Sequence, residues 1–159
     1  MASDITIVPI SADLQLRTTV ATWSHRAWSP DFPNDTIQTY LDLYEQSHRD
    51  ESALPIVFVA HTPTGEPIAT ATLVADDELP GWSDIGPWLA ALWVDEKHRR
   101  LGVANALVAR VESAARALGY RNLHLYTHDQ TAWYERHGWQ EFGTGQLPAH
   151  TVTVMIKQL

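Results

Sequence analysis

A basic turn between an apolar strand and a helix is the segment best suited to chemistry. The apolar run from Trp88 to Val94 leads into Arg99 and Arg100, and a helical pattern starts at Gly102. The first N–H groups of a helix lack internal partners and lie at the positive end of the helix dipole, so they can bind phosphate oxygens. Gly102 permits close approach, Ala104 keeps the first turn small, and the arginines attract negative charge. The segment predicts a pyrophosphate site, although such a turn can also be a solvated loop.

The histidines do not form a metal-binding motif. None of the eight falls into a tight ligand spacing, and His124 and His128 would share a face only if one strand continued through both. The sequence has no cysteine, which excludes a disulfide framework, a thiolate metal site and a cysteine nucleophile. We therefore predict no metal site.

The elements that must position the turn begin with a strand and two helices. Residues 5–9 alternate as a strand does, and an apolar helical pattern runs from Leu14 to Trp28, with Ser11 as a plausible N-cap. Two prolines end this helix. Asn34 or Asp35 can cap a second one.

Strands and helices mix in the rest of the chain. Residues 55–61 and 67–75 flank a Thr-Pro-Thr-Gly turn and predict a hairpin, and Trp88 to Val94 predicts a buried central strand. An apolar face predicts a helix from Gly102 to Leu118. The remaining predicted elements are a strand at 123–127, a short helix at 131–137, a Gly-rich turn near Gly143 and Gly145, and a closing strand at 152–156. This order predicts an α/β or α+β fold in which helices pack on a sheet.

Length, charge and hydropathy narrow the class of protein. A chain of 159 residues with 45% hydrophobic residues fits one domain over 1–159. A net charge of −8 with scattered basic residues disfavours nucleic acid as a partner. No apolar stretch approaches the roughly 18 to 20 residues of a membrane span, and no secretion signal is evident. We expect a cytoplasmic protein without a membrane partner, whose acidity either attracts a cation or only maintains solubility.

Two motifs in this order resemble a known family. Residues 99–104 (RRLGVA) fit the Arg/Gln-x-x-Gly-x-Gly/Ala signature of the GNAT superfamily of N-acetyltransferases. Residues 133–139 (WYERHGW) fit its aromatic-Tyr pair followed by a Gly-aromatic pair, and the resemblance covers residues 54–159 well. It implies a mixed, mostly antiparallel central sheet with splayed strands and helices on both faces. It also implies acetyl-coenzyme A as the cosubstrate for acetyl transfer to an amine.

The same resemblance implies which residues bind the cosubstrate. Backbone groups of Leu92, Trp93 and Val94 contact the pantetheine arm, and an N–H of this strand stabilises the oxyanion of the tetrahedral intermediate. Relatives often carry Asn seven positions before the motif tyrosine; here the residue is Thr127, and Gln130 is a candidate substitute. The pyrophosphate is assigned to the turn and the start of the helix, which are Arg99, Arg100, Leu101, Gly102, Val103, Ala104 and Asn105.

Tyr134 is the catalytic residue that the resemblance implies. In relatives this tyrosine donates a proton to the departing thiolate or hydrogen-bonds its sulfur, and a phenol is a competent acid for that step. It could instead be a core aromatic residue. Many relatives use a central-strand Glu as base, and residues 88–94 contain none. Asp84, His128, Asp129 or a water chain could act instead, although each side chain could also be solvated and Asp129 is a plausible N-cap.

The acceptor and the oligomeric state are left open by the sequence. Acidic residues before the central strand and around the second helix favour a small cationic or aromatic amine, if they line the acceptor groove. Four tryptophans could wall that groove, although several of them must belong to the core: Trp23, Trp28, Trp82 and Trp88. The run LHLYTHDQTAWYERHGW also resembles part of the N-terminal acetyltransferase that modifies actin, so a protein N-terminus is an alternative. Further alternatives are a non-catalytic acetyl-coenzyme A module and a purely structural domain. The apolar stripe of Val152, Val154 and Ile156 indicates either a homodimer contact or the chain's own core.

Overall fold

A seven-stranded sheet organises the chain in a computed structural model, which describes residues 4–49 and 53–159. The strands are β1 (Thr6–Pro9), β2 (Ile56–His61), β3 (Pro67–Val74), β4 (Trp88–Val94), β5 (Asn122–Thr127), β6 (Gln140–Gln146) and β7 (Thr151–Gln158). The helices are α1 (Leu14–Trp28), α2 (Ile37–Arg49), α3 (Val103–Ala117) and α4 (Thr131–Arg136), with a short 3-10 helix at Glu96–His98. None of the helices in these two ranges is long and apolar enough to cross a membrane. The single domain predicted over 1–159 includes residues 1–3 and 50–52, which lie outside the described residues.

The sheet is antiparallel except at its centre. Its strand order is β1-β2-β3-β4-β5-β7-β6, and β4 and β5 are parallel neighbours that pair only at Trp88 and His124. Because α3 lies between them in the chain, β4, α3 and β5 form one crossover unit. Beyond that pair the two strands separate. The predicted mixed, mostly antiparallel sheet with splayed strands is confirmed.

Helices cover both faces of the sheet because β2 is apolar on both. Phe58 of β2 packs in a cluster with α3 residues such as Leu107. Its neighbour Val57 points to the opposite face and packs with Val20 of α1 and Tyr44 of α2. Alternation along a strand sends successive side chains to opposite faces, so this nearly continuous apolar run requires a layer on each side.

The caps of the first two helices differ from the predicted ones. Asp13, not Ser11, caps α1: its Oδ2 accepts from the N–H of Leu16 at 3.0 Å. The Ser11 hydroxyl instead accepts from the N–H of Asp13. The prediction of Asn34 or Asp35 as the cap of α2 is also wrong, since that helix starts at Ile37, directly after Thr36. The sequence offers several capping residues within a few positions, and the chain uses the one next to the first turn.

The predicted Gly-rich turn is a strand instead. Gly143 and Gly145 lie within β6 and pair with Val154 and Val152 of β7. A Cβ on Gly143 would come within 2.7 Å of the Trp82 ring, and one on Gly145 within about 3 Å of a leucine of the same loop. The glycines therefore make room for the loop before β4 to pack across the strand.

The apolar stripe of β7 is explained by the chain's own core. Val152 and Val154 are buried within this chain, with exposures of 3% and 0%. Ile156 is only partly buried. The stripe therefore gives no support to pairing of two chains, which stays a prediction.

Candidate active site

A bulge in β4 shapes the strand beside the central opening. Thr70 on β3 pairs with Trp93, but Thr72 pairs with Ala90, so two residues of β4 oppose one of β3. Ala91 has a φ of 53°, a conformation that residues with side chains rarely adopt. A bulge bends its strand and redirects the backbone groups that follow. The bulge at Ala91 therefore changes the direction of the β4 backbone at a position where a ligand could lie.

The edge of β4 that faces β5 is open beyond Trp88. Within the described ranges β4 pairs with β5 only at that residue, so the backbone groups from Leu89 onward have no strand partner on this side. An extended ligand can take the place of a missing strand by bonding such groups. A cleft opens beside this edge, between β4 and β5. Leu92 and Trp93, two of the residues assigned to the pantetheine arm, line it.

Arg99 is fixed at the end of β4. Its Nε donates to the carbonyl of Val94 at 2.8 Å, and its guanidinium carbon lies 5.6 Å from the centre of the Trp93 ring. Trp93 in turn stacks on Trp23, with ring centres 4.8 Å apart. Arg99 lines the cleft and keeps further N–H donors for phosphate oxygens. Val94 packs its side chain in the core, and its carbonyl is used by Arg99.

The turn before α3 has the backbone shape expected of an anion site. Arg100 and Gly102 have φ values of 64° and 83°, and the buried Val103 side chain anchors the start of the helix. The carbonyl of Gly102 accepts from the N–H of Ala106 at 3.1 Å, so the three N–H groups between them have no helical partner. These donors belong to Val103, Ala104 and Asn105. The cleft lining includes none of residues 100–105, Leu101 among them, so phosphate binding by this turn stays a prediction.

A cleft of about 1190 Å³ opens where β4 and β5 separate. Its walls come from both strands, from α2 and the segment before it, and from the loops that follow β3 and β5. Ordinary ligand pockets have volumes of about 300 to 1,000 Å³. This cleft is therefore large enough for a cofactor arm and an acceptor together.

Tyr134 presents its ring to this cleft from α4. The residue is 8% exposed and contacts the rings of Trp133 and Trp139 edge-on, at 5.0 and 5.9 Å between centres. Within residues 4–49 and 53–159 its hydroxyl has no hydrogen-bond partner, so the hydroxyl is available to a ligand. Burial and the charge of Asp129 raise the pKa of Tyr134 well above its ordinary value. The phenol therefore stays protonated and can act as a proton donor.

Thr127 holds the turn that leads into α4. Its Oγ1 accepts from the N–H of Gln130 at 3.0 Å and from that of Asp129 at 3.4 Å. The residue before the helix is Gln130, so the prediction of Asp129 as N-cap is wrong. Gln130 lines the cleft, which agrees with its proposed contact to the cofactor without testing it. Thr127, at the position where relatives often have Asn, is used to shape this turn.

The predicted base candidates occupy different places. Asp84 is exposed in the loop before β4 and is not among the cleft-lining residues. His128 lines the cleft, with 46% of its side chain exposed and its Nε2 3.5 Å from Oδ2 of Asp129. Only the candidates that follow β5 are therefore brought to the site.

A histidine–aspartate pair at the site was not predicted from the sequence. His150 lies between β6 and β7, and its Nδ1 is 2.6 Å from Oδ2 of Asp31, which follows α1. The other carboxylate oxygen, Oδ1, accepts from the N–H of Ala149 at 2.8 Å. The ring of His150 stacks on that of His128 at 3.9 Å. No spacing motif could have revealed a pair that lies 119 positions apart in sequence.

Acidic and phenolic groups face each other elsewhere in the cleft. Burial, with Glu78 and Asp76 beside it, raises the pKa of Asp77 well above its ordinary value. Burial and the charge of Asp77 likewise raise the pKa of Tyr126. Loss of hydration and the neighbouring carboxylates therefore oppose ionisation of Asp77, against the opposite effect of a hydrogen bond with Tyr126.

Only some of the predicted wall of tryptophans lies at the groove. Trp28 lines the cleft, and Trp23 supports Trp93 from behind. Trp88 is 1% exposed and belongs with Trp82 to a core cluster beneath β6 and β7. These two residues are among the tryptophans that belong to the core and do not line the groove.

The family of the chain follows from sequence comparison together with this site. The sequence model of the Acetyltransferase (GNAT) family matches residues 19–139, which is more than half of the chain. The chain belongs to the GNAT family of acetyltransferases. It is an acyltransferase that acts with acetyl-coenzyme A, and the open edge of β4 suits that reaction.

Known proteins agree with this assignment. Over 67 residues the chain is 39% identical to an amino-acid acetyltransferase of Azotobacter vinelandii, a match that covers 42% of this chain and only 15% of that protein. A GNAT acetyltransferase from Staphylococcus aureus Mu50 has a similar fold, with a TM-score of 0.71 and 15% identity over 98% of this chain and 99% of that one. Spermidine N-acetyltransferase from Vibrio cholerae, solved with CoA and spermine, gives a TM-score of 0.70 and 15% identity over 98% and 96%. At such identity the two structures show the shared fold alone.

Three or more His, Asp or Glu side chains do not converge in a metal-binding arrangement anywhere in the described part of the chain. The prediction that no metal takes part stays a prediction.

Proposed function

We propose that this enzyme acetylates the primary amine of a small cationic molecule. The observation that carries the proposal is the charge of the cleft: eight acidic side chains line it, against two arginines. Arg99 sits at the β4 end, where the cosubstrate is expected, and Arg49 lies 3.7 Å from Glu45. The acidic lining would draw a cation into the acceptor half of the cleft.

Asp77 adds an energetic argument for a cationic acceptor. Its raised pKa reflects a partly buried carboxyl that loses hydration next to two other carboxylates, which is a costly arrangement for an ionised group. A bound ammonium group supplies the missing positive charge and lowers that cost. The Vibrio cholerae enzyme of similar fold was solved with spermine, a polycation, which is consistent with an acceptor of this class.

The reaction we propose is direct attack by the amine. The open backbone edge of β4 holds the pantetheine arm, and an N–H of that strand donates to the oxyanion of the tetrahedral intermediate. Tyr134 donates its proton to the sulfur as the C–S bond breaks; its hydroxyl is unpaired within the described residues, and its raised pKa keeps the phenol protonated until that step. Arg99 and the start of α3 bind the phosphates.

Two measurements test this proposal in sequence. The first is thermal unfolding with and without acetyl-coenzyme A, where a ligand that binds only the folded state raises the midpoint by mass action. The second follows release of free thiol with spermidine, tyramine, glutamate and a tetrapeptide with a free N-terminus. We expect a raised midpoint and fastest turnover with spermidine or tyramine.

Each other outcome contradicts a defined part of the proposal. A raised midpoint without turnover of any amine would indicate a non-catalytic binding module. Preference for the tetrapeptide would favour a protein N-terminus as acceptor, and preference for glutamate would contradict the electrostatic argument. An unchanged midpoint at millimolar ligand would contradict the assigned cofactor residues.

A further inference from the structure

The pair formed by Asp31 and His150 lies in the wall of the cleft. Asp31 is 9% exposed, and both of its carboxylate oxygens are occupied, Oδ1 by the N–H of Ala149 and Oδ2 by Nδ1 of His150. His150 lines the cleft, with 33% of its side chain exposed. The pair therefore joins an anchored carboxylate to an imidazole that a ligand can reach.

Hydrogen-bond chemistry fixes which ring nitrogen faces the ligand. A carboxylate only accepts hydrogen bonds, so Nδ1 of His150 must carry the proton in the 2.6 Å bond to Asp31. In a neutral imidazole the other nitrogen, Nε2, then has a free lone pair. Within the described residues Nε2 has no hydrogen-bond partner. This arrangement orients an imidazole as a proton acceptor.

Several charged or titratable groups face the pair from the surrounding elements. His128 stacks on the His150 ring from the turn after β5, and Asp129 lies 3.5 Å from the far nitrogen of His128. The charges of Asp77 and Asp31 both contribute to the raised pKa of Tyr126 in β5. Carboxylates outnumber cations among the groups that line the cleft.

We infer that His150 is the general base that removes a proton from the acceptor ammonium, with Asp31 as its positioning residue. The inference rests on the proposed amine acetylation. It differs from the base candidates that the sequence offered, which were Asp84, His128, Asp129 and a water chain. The ring of His128 then lies between His150 and solvent-exposed Asp129, on a path by which the proton can leave.

The proton inventory of the reaction balances with this assignment. Nε2 of His150 takes one proton from the ammonium, and the freed nitrogen lone pair forms the C–N bond to the thioester carbon. As the C–S bond breaks, its electron pair goes to sulfur, and Tyr134 protonates that sulfur. The excess proton on the amide nitrogen returns to the Tyr134 oxygen, and His150 releases its proton to solvent. The net products are the amide, the free thiol and one proton.

The test compares His150→Gln with wild type through the pH dependence of kcat/KM, using the best amine of the panel. We expect a loss of about 10²- to 10⁴-fold at pH 7, the usual range for a general base. Without the base only the free amine reacts, so the variant rate should rise about tenfold per pH unit up to the pKa of the amine. His61→Gln is the matched control, because His61 lies outside the cleft and its ring also bonds a backbone carbonyl.

Two further variants separate catalysis from folding. His150→Ala should regain part of its activity in added imidazole, which a structural role would not allow. Asp31→Asn keeps an acceptor for the N–H of Ala149 and should lower kcat more than it changes KM. All variants should keep the thermal shift with acetyl-coenzyme A.

The outcome can distinguish failure of this inference from failure of the proposed function. If wild type acetylates amines and His150→Gln keeps both its rate and its pH profile, His150 is not the base while the function stands. If wild type acetylates no amine, the proposed function fails first and this inference with it.

Discussion

The proposed cofactor half and the proposed acceptor half of the site are built in different ways. The cofactor half would consist mainly of backbone: the open edge of β4 and the bulge at Ala91, together with the turn at Gly102, which lies outside the cleft lining. The acceptor half consists of side chains from distant parts of the chain, such as Asp31 and His150. A site made of backbone requires particular residues at short, fixed spacing. A site made of side chains requires only that the fold brings them together.

This difference matches the two binding tasks: the cofactor is the same in every reaction, whereas the acceptor can vary. Phosphate and pantetheine groups are the same in every turnover and can be held by main-chain donors. The acceptor half can be changed one side chain at a time without disturbing the sheet. Substitutions on the two sides should therefore affect different measured quantities.

The largest effect should come from Tyr134→Phe, at the junction of the halves. Removing only the hydroxyl should lower kcat by about 10²- to 10⁴-fold, since a general acid contributes that range. Because the pKa of Tyr134 is raised, wild type should not lose activity through ionisation of this phenol below about pH 10. Steady-state kinetics from pH 6 to 10 measure both effects. Tyr120→Phe, at an exposed tyrosine, is the control, and equal rates for the two variants would remove Tyr134 from the mechanism.

A smaller effect on the cofactor half should follow from Gly102→Val. A valine at this positive φ costs about 1 to 3 kcal/mol of folding free energy. It should also weaken acetyl-coenzyme A binding about tenfold or more, the equivalent of one lost charged hydrogen bond. Gly119→Val imposes the same strain at the other end of α3, with open space around the new side chain. Calorimetric titration should show weaker binding for the first variant only; equal binding would argue against a phosphate site at this turn.

On the acceptor half, Asp77→Asn should stabilise the protein by about 1 kcal/mol at pH 7.5, the ordinary scale of a point substitution. A carboxyl whose pKa is raised by folding favours the folded state in acid, below its unfolded pKa of about 3.9. That contribution is lost as the pH rises toward the folded pKa. Melting curves should therefore show a gain that shrinks toward pH 4, together with weaker binding of spermidine. Asp76→Asn, at an exposed neighbour, should give a smaller gain, and a destabilised Asp77→Asn would show that the carboxylate is already neutralised.

The smallest effect should come from Asp84→Asn. Because this side chain is exposed and does not line the cleft, kcat and KM should stay within about twofold of wild type. A rate loss comparable to that of His150→Gln would instead return Asp84 to the list of bases.

The sequence was sufficient for the fold, whereas the cofactor-binding residues that it assigns stay predictions. Helix α3 has one apolar face, the β2–β3 hairpin has a strong turn, and the motif residues lie close together, so local pattern decides each of them. The glycines of β6 misled the prediction, since the role of Gly143 depends on Trp82 packing across it and that of Gly145 depends on Leu79, and both partners lie far earlier in the chain. The pairing of Asp31 with His150 depends on two loops meeting in three dimensions, which no local pattern records.

The single pair of residues that joins β4 to β5 has a mechanical consequence. The sheet consists of two ribbons, β1 to β4 and β5 to β7, that are joined along the sheet at one point and otherwise held together by α3 and the core. Such ribbons can open and close as separate cooperative units, because few hydrogen bonds oblige them to move together. A cosubstrate lying in the gap would act as a temporary eighth strand. Binding of the cosubstrate would then hold β4 and β5 together, and product release would free them again in each catalytic cycle.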